Sequence, residues 1–127
     1  MPYGVKSWDD VRNVGFRFKE CISVPGVDIT RVHPWKQAVV KSIRDALIYD
    51  SRIERVVLFG SSVNIRCQMS SDLDVVIKMK DFSNDAKLDV SEKLQEACGW
   101  TADILWFDHL SENDRVYQEA KKGVRIV

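Results

Sequence analysis

The sequence has no excess of either charge: Lys plus Arg and Asp plus Glu both total 19 in 127 residues. Broad binding to a phosphate backbone usually needs a basic surplus, so any basic patch here is local. Long apolar runs are missing as well. None exceeds Val56–Phe59, far short of the roughly 20 residues of a membrane helix. Met1 to Lys6 lack the apolar stretch of a secretory signal. Cysteine is scarce and odd in number. Cys21, Cys67 and Cys98 lie far apart, with no CxxC and no Cys/His cluster, which argues against a disulfide framework or a zinc site. Reduced, mostly buried thiols in a cytoplasmic protein are the simple reading. Internal repeats and low-complexity tracts are absent.

What is present suits one domain around one core. Ser7 and Asp10 are spaced as a helix-start pair, and Trp8, Val11, Val14, Phe18, Cys21 and Ile22 fall near helical spacing, so a helix is expected over 8–21. Pro25-Gly26 ends it, and residues 23–34 read as loop. Trp35, Val39, Ile43, Ala46 and Leu47 form the apolar stripe of a second helix, with Lys36, Lys41, Arg44 and Asp45 opposite. Residues 54–59 read as a buried strand stopped by Gly60. Residues 72–80 alternate: Leu73, Val75, Ile77 and Met79 face one way, Asp72, Asp74, Val76, Lys78 and Lys80 the other. A helix over 84–98, using Leu88, Val90, Leu94 and Ala97, closes at Gly99. A third strand over 100–107 follows. A last helix over 111–122 has Ser111 and Asp114 as capping pair and Gly123 as stop, and 124–127 adds an edge strand. The four tryptophans, Trp8, Trp35, Trp100 and Trp106, read as core anchors. The expected architecture is a small α/β or α+β domain: a mixed sheet of three to four strands flanked by helices.

The chemistry concentrates in the middle. Leu58-Phe59-Gly60-Ser61 ends a strand in a small turn, and ten residues later Asp72-Leu73-Asp74 opens the next strand. Period-two alternation puts Asp72 and Asp74 on one face, roughly 6.6 Å apart at the backbone. Carboxylates so placed suit Mg²⁺, which takes oxygen ligands and is usually held by one or two carboxylates plus substrate phosphates. Two such ions can clamp the attacking and leaving oxygens of an in-line displacement. Asp103, alone among Ala102, Ile104 and Leu105, is the candidate third carboxylate. It would be costly to bury without a partner, and it suits a base role toward a hydroxyl as well as metal ligation. Gly60 permits close backbone approach, and the Ser61 hydroxyl with nearby N–H groups can hold a phosphate. No P-loop pattern is present.

Each piece has an ordinary reading. Asp-x-Asp is common at solvated strand starts, and Gly-Ser after a strand is usually just a turn. Lys78 and Lys80 share the face of Asp74, as triphosphate-attracting charges or as a solvated strand end. His33 reads as a loop residue and His109 as a surface or capping one. Ser61, Asp108 and His109 lack the GxSxG context of a hydrolase.

Gly60-Ser61, ten residues and Asp72-Leu73-Asp74 resemble the signature of the DNA polymerase β-like nucleotidyltransferases. The short chain is similar to the minimal members paired with HEPN-domain toxins in toxin–antitoxin systems. Ser71, Asp103 and the ending Tyr117…Gly123-Val124-Arg125-Ile126 add to the likeness, which covers roughly residues 36 to 127. The division suggested is 1–34, a helical extension and loop, and 35–127, the nucleotidyltransferase domain. The resemblance implies two Mg²⁺ ions and transfer of a nucleoside monophosphate from ATP or another nucleoside triphosphate to a hydroxyl. It implies that Asp72 and Asp74 bind metal and triphosphate, that Asp103 binds metal and helps activate the acceptor, and that Gly60 and Ser61 hold the β and γ phosphates. The implied donor is ATP and the implied acceptor a tyrosine of a HEPN-type partner; a nucleic-acid acceptor stays open. Many minimal members carry Arg and Gly where this chain has Asn64 and Ile65, which makes Arg66 the substitute candidate for phosphate contact. Two readings compete: an antitoxin or binding module acting by contact, and a metal-dependent phosphohydrolase or nuclease.

Overall fold

The computed structural model describes residues 17–127. Helix α1 spans Pro34–Leu47. Proline at its start needs no N–H partner, and the His33 side chain caps the end by accepting the Trp35 N–H at 3.2 Å. Its buried face is Lys36, Gln37, Val40, Ile43 and Leu47. Of the expected stripe Ile43 and Leu47 are buried and Val39 is partly so, while Trp35, 55% exposed, and Ala46 are not. The inner face starts one residue later because the Lys36 stem packs inward while its ammonium reaches backbone carbonyls.

Strand β1 (Ile53–Phe59) pairs antiparallel with β2 (Leu73–Met79). Helix α2 (Asn84–Cys98) then crosses over to β3 (Ala102–Trp106), which runs parallel to β2. Helix α3 (Arg115–Lys121) leads to β4 (Val124–Arg125), antiparallel to the other edge of β1. The sheet order is β3-β2-β1-β4. Helices α1 and α2 cover one face, where Val40, Ile43 and Leu47 meet Val90 and Leu94 above Leu58, Val75 and Ile77. Wholly buried residues such as Ile43, Leu47 and Ile77 each contribute about 1.5–3 kcal/mol of transfer free energy.

Helix α2 has the bounds its caps dictate. The Ser83 hydroxyl accepts the Ala86 N–H at 3.2 Å, and Gly99 closes it in the left-handed region at φ 70°. Leu88 is 61% exposed, against expectation, because it sits two residues from both Ala86 and Val90, which face inward. Trp100 is 65% exposed at φ 63° and precedes β3 rather than starting it. Trp106 is half-buried against the core, so the anchor role fails for Trp35 and Trp100, and Trp8 lies outside the described residues. Helix α3 starts later than expected. Ser111 and Asp114 pair as a turn ahead of it, the Asp114 carboxylate accepting the Ser111 N–H at 2.8 Å.

Of the helix expected over 8–21, residues 17–21 are irregular, and the rest lies outside the described residues. Their backbone bonds outside any helical ladder, the Phe18 N–H donating to the Thr30 carbonyl at 2.6 Å. Gln37, fully buried, accepts the Cys21 N–H at 2.7 Å and donates to the Lys19 and Val32 carbonyls at 2.8 and 3.0 Å. Val24, Ile29 and Val32 join the same core.

Candidate functional site

The sheet face turned away from α1 and α2 carries the chemistry. On β2 the odd positions Leu73, Val75, Ile77 and Met79 are buried under the helices, which turns Asp74 and Lys78 to the other side. Asp74 lies opposite Asp103 in the parallel β2–β3 register and opposite Phe59 in the antiparallel β1–β2 register. Asp72 immediately precedes β2. Antiparallel β1 delivers its C-terminal end, and therefore Gly60, to the same place.

Gly60 opens a short 3-10 turn, Gly60–Val63, at φ +75°. A Cβ there would stand 2.5 Å from Asp74 Oδ2. The position therefore disfavours a side chain twice, by conformation and by contact with the carboxylate. Beside it Ser62 is fully buried; its carbonyl accepts the His33 N–H at 2.7 Å, while its hydroxyl has no hydrogen-bond partner among the described residues. Ser61 is half-buried.

Asp74 is half-buried, Asp72 and Asp103 are exposed. Burial raises the Asp74 pKa from its ordinary value, and the charges of Asp103 and then Asp72 add to it. Among the described residues, none of the three forms an ion pair or a side-chain hydrogen bond. The structure thus brings together Asp72, Asp74, Asp103 and the Gly60-Ser61 turn. It does not close them into a ready-made cage: among the described residues no three His, Cys, Asp or Glu side chains form a group able to hold a metal. The donor chemistry fits Mg²⁺, a hard cation that keeps several of its waters and needs only one or two protein carboxylates. Uncompensated negative charge beside a half-buried acid is what such an ion would neutralise.

The ten-residue connection folds on itself. The Asn64 side chain accepts the Arg66 N–H at 2.9 Å, and the Ser71 hydroxyl accepts the Gln68 N–H at 3.0 Å. Asn64 therefore has a turn-forming role. Arg66 is exposed on this loop. Sequence reading missed Lys36, whose ammonium donates to the carbonyls of Ser71 at 2.6 Å and Met69 at 3.3 Å. It ties α1 to the residues that deliver Asp72. The only signal was a Lys in register with Val40, Ile43 and Leu47.

The residues set aside stay aside. His109 is exposed, its Nε2 3.8 Å from Asp108 Oδ2. Asp108 is engaged by Lys87 at 2.7 Å, which holds its pKa low. Lys78 pairs with Glu54 at 3.0 Å and lies over the Phe107 ring at 4.7 Å.

Two solved structures resemble part of the chain. One, a crystal structure of a mutant toxin–antitoxin MntA-HepT, shares 20% identity over 70% of this chain and 69% of that chain, with TM-score 0.49. Another, a crystal structure of the toxin–antitoxin MntA-HepT, shares 19% over 73% and 69%, with TM-score 0.44. At that distance they add nothing to the assignment. No curated protein matches the chain. Residues 41–127, well over half of the chain and including every carboxylate of the site, match the family model described as polymerase beta, nucleotidyltransferase. The chain belongs to the polymerase beta nucleotidyltransferase family.

Proposed function

We propose that the protein is a Mg²⁺-dependent nucleotidyltransferase that moves a nucleoside monophosphate, AMP by the sequence resemblance, from a nucleoside triphosphate to a hydroxyl acceptor. The observation that carries this reading is the register: Asp74 stands opposite Asp103, and Gly60 is pressed against the Asp74 carboxylate. Asp72, Asp74 and Asp103 would hold the metal, which supplies charge neutralisation of the triphosphate and polarisation of its phosphorus. The Gly60-Ser61 turn would receive the β and γ phosphates, with Arg66 on the loop as a further contact. Asp103, more exposed than Asp74, would take a proton from an approaching hydroxyl. The acceptor proposed is a tyrosine of a HEPN-type toxin. Cytoplasmic location belongs to the same proposal, consistent with Cys67 and Cys98 as buried free thiols.

The test is incubation with Mg²⁺, labelled ATP and a HEPN-type partner. Label should pass to the partner and be lost with Asp72→Ala or Asp74→Ala; no transfer by the unaltered protein would sink the proposal. A contact-acting antitoxin is the second reading, favoured by the exposure of Ile65 and Met69, 45% and 76%, on the loop beside the carboxylates. Neutralisation fully retained by Asp72→Asn/Asp74→Asn would select it.

A further inference from the structure

The same sheet face carries a second feature, remote from the carboxylates. A shallow cleft of about 80 Å³, open to solvent, lies between the sheet and α3. Its floor is Val57 and Val76, a cross-strand pair. Its walls include Phe107 and Tyr117, with ring centroids 5.9 Å apart. Three cations, Arg55, Lys78 and Lys121, complete it. Val76 and Lys78 continue the face of Asp74 along β2, and Arg55 pairs with Lys78 across the strands. Four residues of strand put this cationic end about 13 Å from Asp74.

The lining asks for a ligand of mixed character. A bare phosphate would have no use for two valines and two rings, and an uncharged ring would have none for three cations. A nucleoside triphosphate lying on the carboxylates has its charge at the Gly60 end, so it does not account for cations here either. The chain as a whole is neutral, which points to a single anionic unit rather than a polyanion tracked over the surface. The lysines already lie over the rings, Lys78 at 4.7 Å from the Phe107 centroid and Lys121 at 5.7 Å from that of Tyr117. Such contacts are weaker than charge-assisted hydrogen bonds to phosphate, so neither ring would keep its lysine from an anion. One carboxylate opposes it: a bulge between Ile53 and Arg55 lets Glu54 reach Lys78 at 3.0 Å.

We infer that this pocket binds one nucleoside monophosphate unit, its base in the apolar bed beside Phe107 and Tyr117 and its phosphate on Arg55, Lys78 and Lys121. The inference goes beyond the transfer reading. It supplies a second nucleotide position on the face that carries the acidic cluster.

The experiment is an NMR titration of the protein with AMP, without divalent metal or triphosphate. The amide signals of Val57, Val76, Phe107 and Tyr117 should shift together. Arg55→Ala with Lys121→Ala should weaken binding about tenfold or more. Glu54→Gln should tighten it, a gain that a misfolded variant could not give. Adenosine and inorganic phosphate should each bind far more weakly than AMP. Shifts confined to residues 60–74, phosphate or adenosine matching AMP, an acidic tyrosine peptide binding more tightly than AMP, or no gain from Glu54→Gln would each overturn the inference. Because neither metal nor triphosphate is present, failure here leaves the transfer reading standing, and failure of transfer leaves this result intact.

Discussion

Gly60→Ala offers a quantitative test of the site, because Gly99 provides an internal control. Both glycines are left-handed, at φ +75° and +70°. An L-residue in that region costs roughly 1–2 kcal/mol. At Gly99 an added Cβ meets nothing within 4 Å, whereas at Gly60 it meets Asp74 Oδ2 at 2.5 Å. The obstacle is a side-chain tip, so Asp74 can give way by turning off its rotamer at a further cost of about 0.5–1.5 kcal/mol. The stability penalties should therefore differ by about that amount, Gly60→Ala being the larger, as read from urea midpoints at unchanged slope. The functional difference should be far greater. A displacement of about 1 Å in a reacting group can cost on the order of a hundredfold, so Gly60→Ala should lose about that factor in transfer while Gly99→Ala keeps the original rate. Equal loss of stability in the two variants, with full transfer by Gly60→Ala, would refute the contact between the turn and the carboxylate.

Three other outcomes follow from the same geometry. Lys36→Met keeps the buried stem but strands the carbonyls of Ser71 and Met69; a loss of about 1–3 kcal/mol in denaturant unfolding is expected, with transfer falling further than stability explains. Burial, and then Lys36, hold the His33 pKa below its usual value, and its neutral Nδ1 caps α1. Stability should therefore be full above the unfolded value of about 6.5 and fall as pH drops through it toward the folded value; unfolding midpoints across that window check this, and His33→Asn should flatten the step. Asp50, its side chain 7% exposed, accepts two guanidinium bonds from Arg52, while Asp89, at 49%, shares the same Arg52. Arg52 holds the Asp50 pKa far below normal, so this contribution is present above about pH 4 and lost on acidification. Asp50→Asn should lower the thermal midpoint more than Asp89→Asn, since exposed pairs contribute little.

The parts of the fold that rest on local signals were legible. Helix α2 runs from its Ser83 cap to the residue before Gly99, and the alternation of β2 sorts Leu73, Val75, Ile77 and Met79 from Asp74 and Lys78 as expected. The carboxylate pair and its turn were legible for the same reason. The opposition of Asp74 and Asp103 is a non-local register fixed by the crossover through α2, which the residue pattern of neither strand encodes. Lys36 escaped because a lysine in an amphipathic helix reads as solvent-facing, whereas here two backbone carbonyls solvate its ammonium. Trp35 and Leu88 misled for the converse reason: size and hydropathy suggested burial that their angular positions on α1 and α2 do not give. The pocket walls come from β1, β2, α3 and the residue after β3, a combination without a sequence signature.

The central claim is transfer of a nucleoside monophosphate at the Asp72, Asp74 and Asp103 end of the sheet. The most direct measurement is a parallel reaction with Mg²⁺ and ATP labelled either in the α or in the γ phosphate, followed on the HEPN-type partner. The account predicts that the α label becomes attached to the partner, that the γ label leaves as pyrophosphate, and that both signals vanish in Asp74→Asn. A γ label on the partner, free phosphate in place of pyrophosphate, or unchanged transfer by Asp74→Asn would contradict it.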